Sequence, residues 1–285
     1  MIAGVNRRRP RITWRRRLRH IAIALLCVVG LPSGASAGAL LPPPPAASAG
    51  ATPEIALIID DMGSRRDAGL QVLQLPGPVA CAFLPYAPYT HDLALQAHAR
   101  NKEIMLHLPM QTVESTRLDS GGVTLDMTER EFLDTLRADL ARVPHVSGIN
   151  NHMGSLITRH PGHMLWLMRG MQGDRHLFFV DSRTTKYTVA RHIAYENQVP
   201  SVSRDVFLDA ELSPASVRHE FERLLDLAKR NGSALGIGHP HPATLALLRQ
   251  ELTRLSAHGV KLVPVSRLVQ RQQARDSQWR ASLSP

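Results

Sequence analysis

Six short stretches of this sequence carry side chains able to hold a metal ion or move a proton. They are Asp60-Asp61, His107, Asn150-Asn151-His152, Asp181-Ser182-Arg183, Asp205 with Asp209, and His239-Pro240-His241. Adjacent carboxylates repel, so keeping Asp60 and Asp61 both ionised requires a cation or a hydrogen-bond network close by. Carboxylate together with imidazole is a ligand set that suits zinc, with water in an open position. A metal so placed lowers the pKa of its water to about 7 and polarises a carbonyl oxygen. A second carboxylate then serves as base and a histidine as acid to the leaving group. The chemistry defined in this way is metal-assisted hydrolysis of an amide or ester. Each stretch also has a plainer reading. Taken alone, Asp61 reads equally well as the cap of a helix starting near Arg65, and Asp181 as the cap of a turn. Asp205 and Asp209 are matched by Arg204 and Arg218 as surface ion pairs. A single histidine at a strand end is more often a hydrogen-bonded structural residue than a ligand.

Each stretch ends an apolar run. Residues 55–59, Ile-Ala-Leu-Ile-Ile, show no alternation, the mark of a strand covered on both faces. Further strands are expected at 79–84, 103–109, 146–149, 177–180, within 199–208, and at 234–238, with an eighth, closing strand at 260–264. Helical patterns separate them. One opens with the capping box Thr128-Glu-Arg-Glu131 and has Phe132, Leu136 and Leu140 on its apolar face. Others open at Pro161, at Ser213-Pro214 and at Pro242, the last running to Gly259. Strands alternating with helices predict a parallel sheet. The first strand is not followed by Gly-x-Gly-x-x-Gly, and the chain carries no phosphate loop, which turns the reading from an open nucleotide-binding sheet to a (β/α)7–8 barrel. In such a barrel all strand ends share one mouth, so the plainer readings would have to hold independently at five or six strands of one sheet.

The charge is unevenly placed. Eight of the 34 Lys and Arg lie in the first 20 residues, and no acid precedes Glu54. From residue 38 onward 26 basic residues face 24 acidic ones, so the formal +10 does not imply a nucleic-acid partner. The basic start, an apolar stretch at 21–31 and Ala35-Ser-Ala37 form a secretory signal peptide over residues 1–37, with an uncleaved anchor as the alternative. The membrane is then met only through this leader if it stays uncleaved, and the expected destination is the periplasm. Cys27 sits behind Leu26 within the leader, where a lipoprotein site would want a small residue, and Cys81 alone cannot form an internal disulfide. Residues 38–53, with Pro42 to Pro45, read as a Pro/Ala-rich linker; one domain spans 54–268, and 269–285 reads as a polar, frayed tail.

Together, Ile58-Ile-Asp60-Asp61-Met-Gly63, His107-Leu-Pro-Met110, Asn150-Asn-His152-Met-Gly-Ser155, Phe178-Phe-Val-Asp181-Ser-Arg183-Thr and Gly238-His239-Pro-His241-Pro resemble the divergent polysaccharide deacetylases of bacterial envelopes. That family is related to the carbohydrate esterases with a NodB homology domain, (β/α)7 barrels that remove N- or O-acetyl groups from glycans. The resemblance implies a divalent metal, zinc by preference, and a peptidoglycan or other acetylated polysaccharide as substrate. It implies Asp60 as catalytic base, Asp61 and His107 as ligands, and His239 as catalytic acid. The wider family takes its remaining ligand from His-x-x-x-His, but the second position here is Gln111, so His152 from the next strand is expected to supply it. Asn151, Asp181, Arg183, Asp205, Asp209 and His241 would then touch substrate or support the ligands. The loss of His-x-x-x-His also motivates the alternative of a catalytically silent barrel that binds envelope glycan or a partner protein.

Overall fold

The computed structural model describes Leu41 and residues 51–114, 116–173 and 177–283. The expected leader lies outside these residues, as does most of the linker, whose last three residues carry no regular structure. The strands are β1 (Glu54–Met62), β2 (Ala80–Phe83), β3 (Ile104–Met110), β4 (Gly148–Met153), β5 (Phe178–Asp181), β6 (Ser201–Ser203), β7 (Val206–Phe207), β8 (Ser233–Gly238) and β9 (Lys261–Leu262). The helices are α1 (Arg66–Leu73), α2 (Thr90–Ala99), α3 (Glu129–Arg142), α4 (Pro161–Met171), α5 (Ala190–Glu196), α6 (Pro214–Asn231), α7 (Pro242–Glu251) and α8 (Val265–Leu283). Strand order is β6-β5-β4-β3-β2-β1-β8-β7, all pairs parallel, as crossover helices demand.

The two edge strands, β6 and β7, are separated in the chain only by Arg204 and Asp205. Arg204 N donates to Asp181 O and Asp205 N to Leu235 O, both at 2.9 Å. One bent stave therefore runs from one edge of the sheet to the other and links β5 to β8. The expected closing strand at 260–264 does not perform this task. It is β9, paired with β1 at Glu54 and Ile55. One edge of β1 is taken by β8 from Glu54 to Ile59, and the other by β2 from Ile58 onward, so only a short length remains for β9.

Alternation sorts the side chains into two cores. Ile55, Leu57 and Ile59 pack outward with the helices, while Ala56 and Ile58 face the interior with Ala80, Ala82, Met105, Val180, Leu235 and Ile237. Val265, Leu268 and Val269 of α8 join that interior core and form the barrel's floor. The tail expected to fray is thus largely helical. Glu103 caps α8 by accepting from Val265 N and Ser266 N at 2.6 and 3.2 Å, and Asp276 pairs with Arg191 at 2.7 Å. Anchoring by ion pairs gives no apolar stripe, which is why the sequence reads there as polar tail.

Candidate metal and proton-transfer site

Asp60 and His107 lie two residues beyond the interior-facing Ile58 and Met105, so alternation points both into the mouth. Asn150 is the register partner of His107 on β4. Asp61 would by the same rule face the helices. Instead the β1–β2 register slips between Ile59 and Met62, and Asp61 adopts a left-handed backbone with φ 55°, which returns its carboxylate to the mouth. Gly63 follows at φ 100°; a Cβ there would stand 2.1 Å from Thr90 Oγ1. The cap of α1 is Arg65, without a side-chain bond, so Asp61 is not a helix cap.

Three donor atoms converge. Asp61 Oδ1 lies 3.1 Å from His152 Nδ1 and 3.4 Å from His107 Nε2, and the two nitrogens are 3.0 Å apart. Ligands at 2.0–2.1 Å around a tetrahedral ion stand about 3.3 Å from one another, so the triangle fits a zinc-sized cation. Asp61 Oδ1 is buried and lacks a well-aligned hydrogen bond, the condition of an oxygen set to meet a cation. His107 Nδ1 faces Asn150 Oδ1 at 3.0 Å; a proton held there leaves Nε2 as a lone pair toward the triangle. Burial would raise the Asp61 carboxyl, but the imidazoles of His107 and His152 pull it well below its ordinary value.

Asp60 stands beside this triangle, almost wholly buried. Its Oδ1 accepts from Asn150 Nδ2 at 2.8 Å, and Oδ2 lies 3.6 Å from His107 Nε2. Burial lifts its carboxyl above the ordinary range despite the opposing pull of His107, His239 and Asn150. Across the mouth, His239 Nδ1 meets Asp209 Oδ1 at 2.9 Å, and its Nε2 lies 3.9 Å from Asp61 Oδ2. Burial works against its charge, yet Asp209 and Asp60 push the imidazole up to about 9. Asp209 Oδ2 accepts from His239 N and Thr244 Oγ1, both at 2.7 Å. His241 lies beside His239, ring centroids 5.7 Å apart.

The other expected contacts separate into different tasks. Asp181 shares its side of β5 with Phe179, and its carboxylate accepts from Arg183 N and Thr188 Oγ1, which shapes the β5–α5 loop. Arg183 is exposed at the end of β5. Asn151 braces loops: Oδ1 accepts from Ser182 N, and Nδ2 donates to Met153 O. Asp205 lies apart from the other expected contacts. Its carboxylate accepts from Leu235 N at 2.8 Å and helps seal the bent stave to β8, because the chain there runs along the barrel seam and not over its mouth. Sequence reasoning placed Asn150 in the set but gave it no role, and it orients His107 and Asp60 together. Its signal was parity, since it lies on the same side of β4 as His152.

A parallel (β/α) barrel with a cation-sized triangle and an Asp–His pair at one mouth is the architecture that the chain presents. More narrowly, this chain belongs to the divergent polysaccharide deacetylase family, whose profile matches residues 57–269. It is 35% identical over 218 residues to a protein of Haemophilus influenzae, covering 76% of this chain and 77% of that one. It is 36% identical over 224 residues to the YibQ protein of Escherichia coli, covering 79% and 70%. A crystal structure of a protein from Agrobacterium tumefaciens C58 superposes with TM-score 0.73 at 21% identity, over 78% of this chain and 91% of that one. The peptidoglycan deacetylase PdaC from Bacillus subtilis superposes with TM-score 0.50 at 13% identity, over 82% and 98%. These two structural likenesses concern the fold.

Proposed function

We propose that this protein is an exported, metal-dependent hydrolase that removes acetyl groups from an envelope glycan such as peptidoglycan. The observation that carries the reading is the triangle of Asp61, His107 and His152 with Asp60 on one side and His239 on the other. Those three residues would hold a divalent ion, zinc by the chemistry of the set. When bound, such an ion polarises the acyl oxygen and makes water beside it acidic. Asp60, fixed by Asn150 at Oδ1, keeps Oδ2 to accept the proton of the attacking water. His239 carries its proton on Nε2 toward the leaving nitrogen or oxygen, while Asp209 holds the ring and stabilises its charge. A cavity of about 260 Å³ lined by Ser64, Leu84, Tyr86, Pro88 and Asp119 reaches the site through Asp119, 3.1 Å from His152 Nε2, and supports the reading by offering space for a sugar unit. The leader over residues 1–37 supports action in the periplasm.

The test combines metal analysis with acetate release from acetylated chitooligosaccharides and peptidoglycan fragments. One zinc-type ion per chain and acetate release that is lost in Asp60→Asn are expected. An ion without release from any glycan would favour the silent, glycan- or partner-binding barrel instead.

A further inference from the structure

We infer that Asp119 is a positioning residue for His152, accepting a hydrogen bond from its Nε2–H so that the Nδ1 lone pair faces the cation pocket, and that Gln111 clips the loop carrying it. This inference rests on the proposed role of His152 as a ligand. The two histidines of the triangle present different nitrogens, His107 its Nε2 and His152 its Nδ1. A neutral imidazole that ligates through one nitrogen must hold its proton on the other, and an acceptor there fixes the tautomer. For His107 that acceptor is Asn150. For His152 the remaining nitrogen is buried and without an aligned hydrogen bond, and Asp119 Oδ2 stands 3.1 Å from it. The Asp119 side chain is half exposed, so a small rotation brings its oxygen into line.

The loop that delivers Asp119 is seated. Gly122 N donates to Asp119 O at 3.0 Å, closing a tight turn over residues 119–122. Gly121, third in that turn, has φ +83°, and a Cβ on it would lie 2.5 Å from Asp139 Oδ1 and 2.7 Å from the Tyr86 ring. Only glycine lets the turn approach this closely. The return of the loop is held by Gln111, whose Oε1 accepts from Leu125 N at 2.8 Å while its own N donates to Val123 O at 3.0 Å. Gln111 is the fourth residue after His107, where the wider esterases carry their second histidine. Its side-chain oxygen is engaged with the loop. The change at this position thus goes with a ligand moved to β4 and a clip on the loop that orients it.

The test uses the metal-free and the zinc-titrated protein. Nitrogen-15 imidazole spectra of the metal-free wild type at neutral pH should show His152 as the Nε2–H tautomer, with that signature reduced in Asp119→Ala. Zinc affinity by competition titration should fall roughly 10–100-fold in Asp119→Ala. Asp119→Asn, which keeps an acceptor oxygen, should retain most of the affinity. Gln111→Ala should lose less, and should add nothing in the Asp119→Ala background. An unchanged tautomer together with affinity within twofold in Asp119→Ala overturns the inference. A wild type that binds no zinc overturns the proposed function instead, and the tautomer of the metal-free proteins then still decides the role of Asp119.

Discussion

Two groups of one aspartate and two histidines stand at the same mouth, and they differ in which lone pairs are already engaged. In Asp61, His107 and His152, the carboxylate oxygen between the imidazoles lacks an aligned hydrogen bond, and the three facing atoms lie within 3.4 Å of one another. In Asp209, His239 and His241, the carboxylate is fully occupied by the His239 ring, the His239 amide and the Thr244 hydroxyl. The first arrangement suits a cation. The second suits a proton, held on His239 between carboxylates. Identical residue types acquire different chemistry from the state of their hydrogen bonds, and residue type alone would count both groups as ligand sets.

Removing a member of the first group gives the largest expected effect. Asp61→Ala or His152→Ala should lose the ion outright, by more than the roughly 10–100-fold that loss of an outer hydrogen-bond partner costs. Elemental analysis of purified protein reads this directly, and Asp209→Ala should keep its ion. Ion loss in Asp209→Ala would erase the distinction drawn between the groups. Next comes Asp209→Asn, which leaves the His239 ring without its carboxylate. Acetate release should fall by about 10²–10⁴ with metal content unchanged.

A third buried carboxylate sharpens the contrast, because no hydrogen bond reaches it and the nearby Arg142 only partly offsets its burial. Both oxygens of Asp139 are unpartnered, and burial pushes its carboxyl up to about 8. Its folded-state value lies above the unfolded one, so the fold favours the neutral acid. Ionisation then opposes folding as pH rises from about 4 to 8, and the penalty is complete above that. Asp139→Asn should therefore stabilise the protein by at least about 1 kcal/mol at pH 8 and by little at pH 4 in urea unfolding. Equal stabilisation at both pH values would assign the effect to packing. The smallest effect belongs to His241→Ala, with the ion retained and stability altered by under about 0.5 kcal/mol.

Much of this site could be read from the chain. An apolar run ending in Asp60-Asp61, and imidazoles ending later strands, follow from a parallel barrel whose strand ends meet. Alternation places Asp60, His107 and His152 on the inner side without any further information. It could not place Asp61, whose return to the mouth depends on a register slip and a left-handed backbone with no sequence mark beyond the nearby Gly63. Asn150 and Asn151 looked alike as residue types, though one orients ligands and the other braces loops. Asp205 carried the right chemistry and lies at the seam, since a bend between β6 and β7 breaks the phase that alternation relies on. Asp119 left no trace because its position comes from a turn and a clip in a long loop without periodicity.

The opening strand of the domain depends on its closing residues. β1 pairs along its length with β8 and at its first two residues with β9, and the base beneath it is supplied by α8. Such wide separation along the polypeptide means high contact order, so assembly cannot finish before the final helix has been synthesised. Deleting the residues after β9 would leave the apolar lining of the barrel wet from below, and a shortened chain should collapse into an aggregation-prone intermediate.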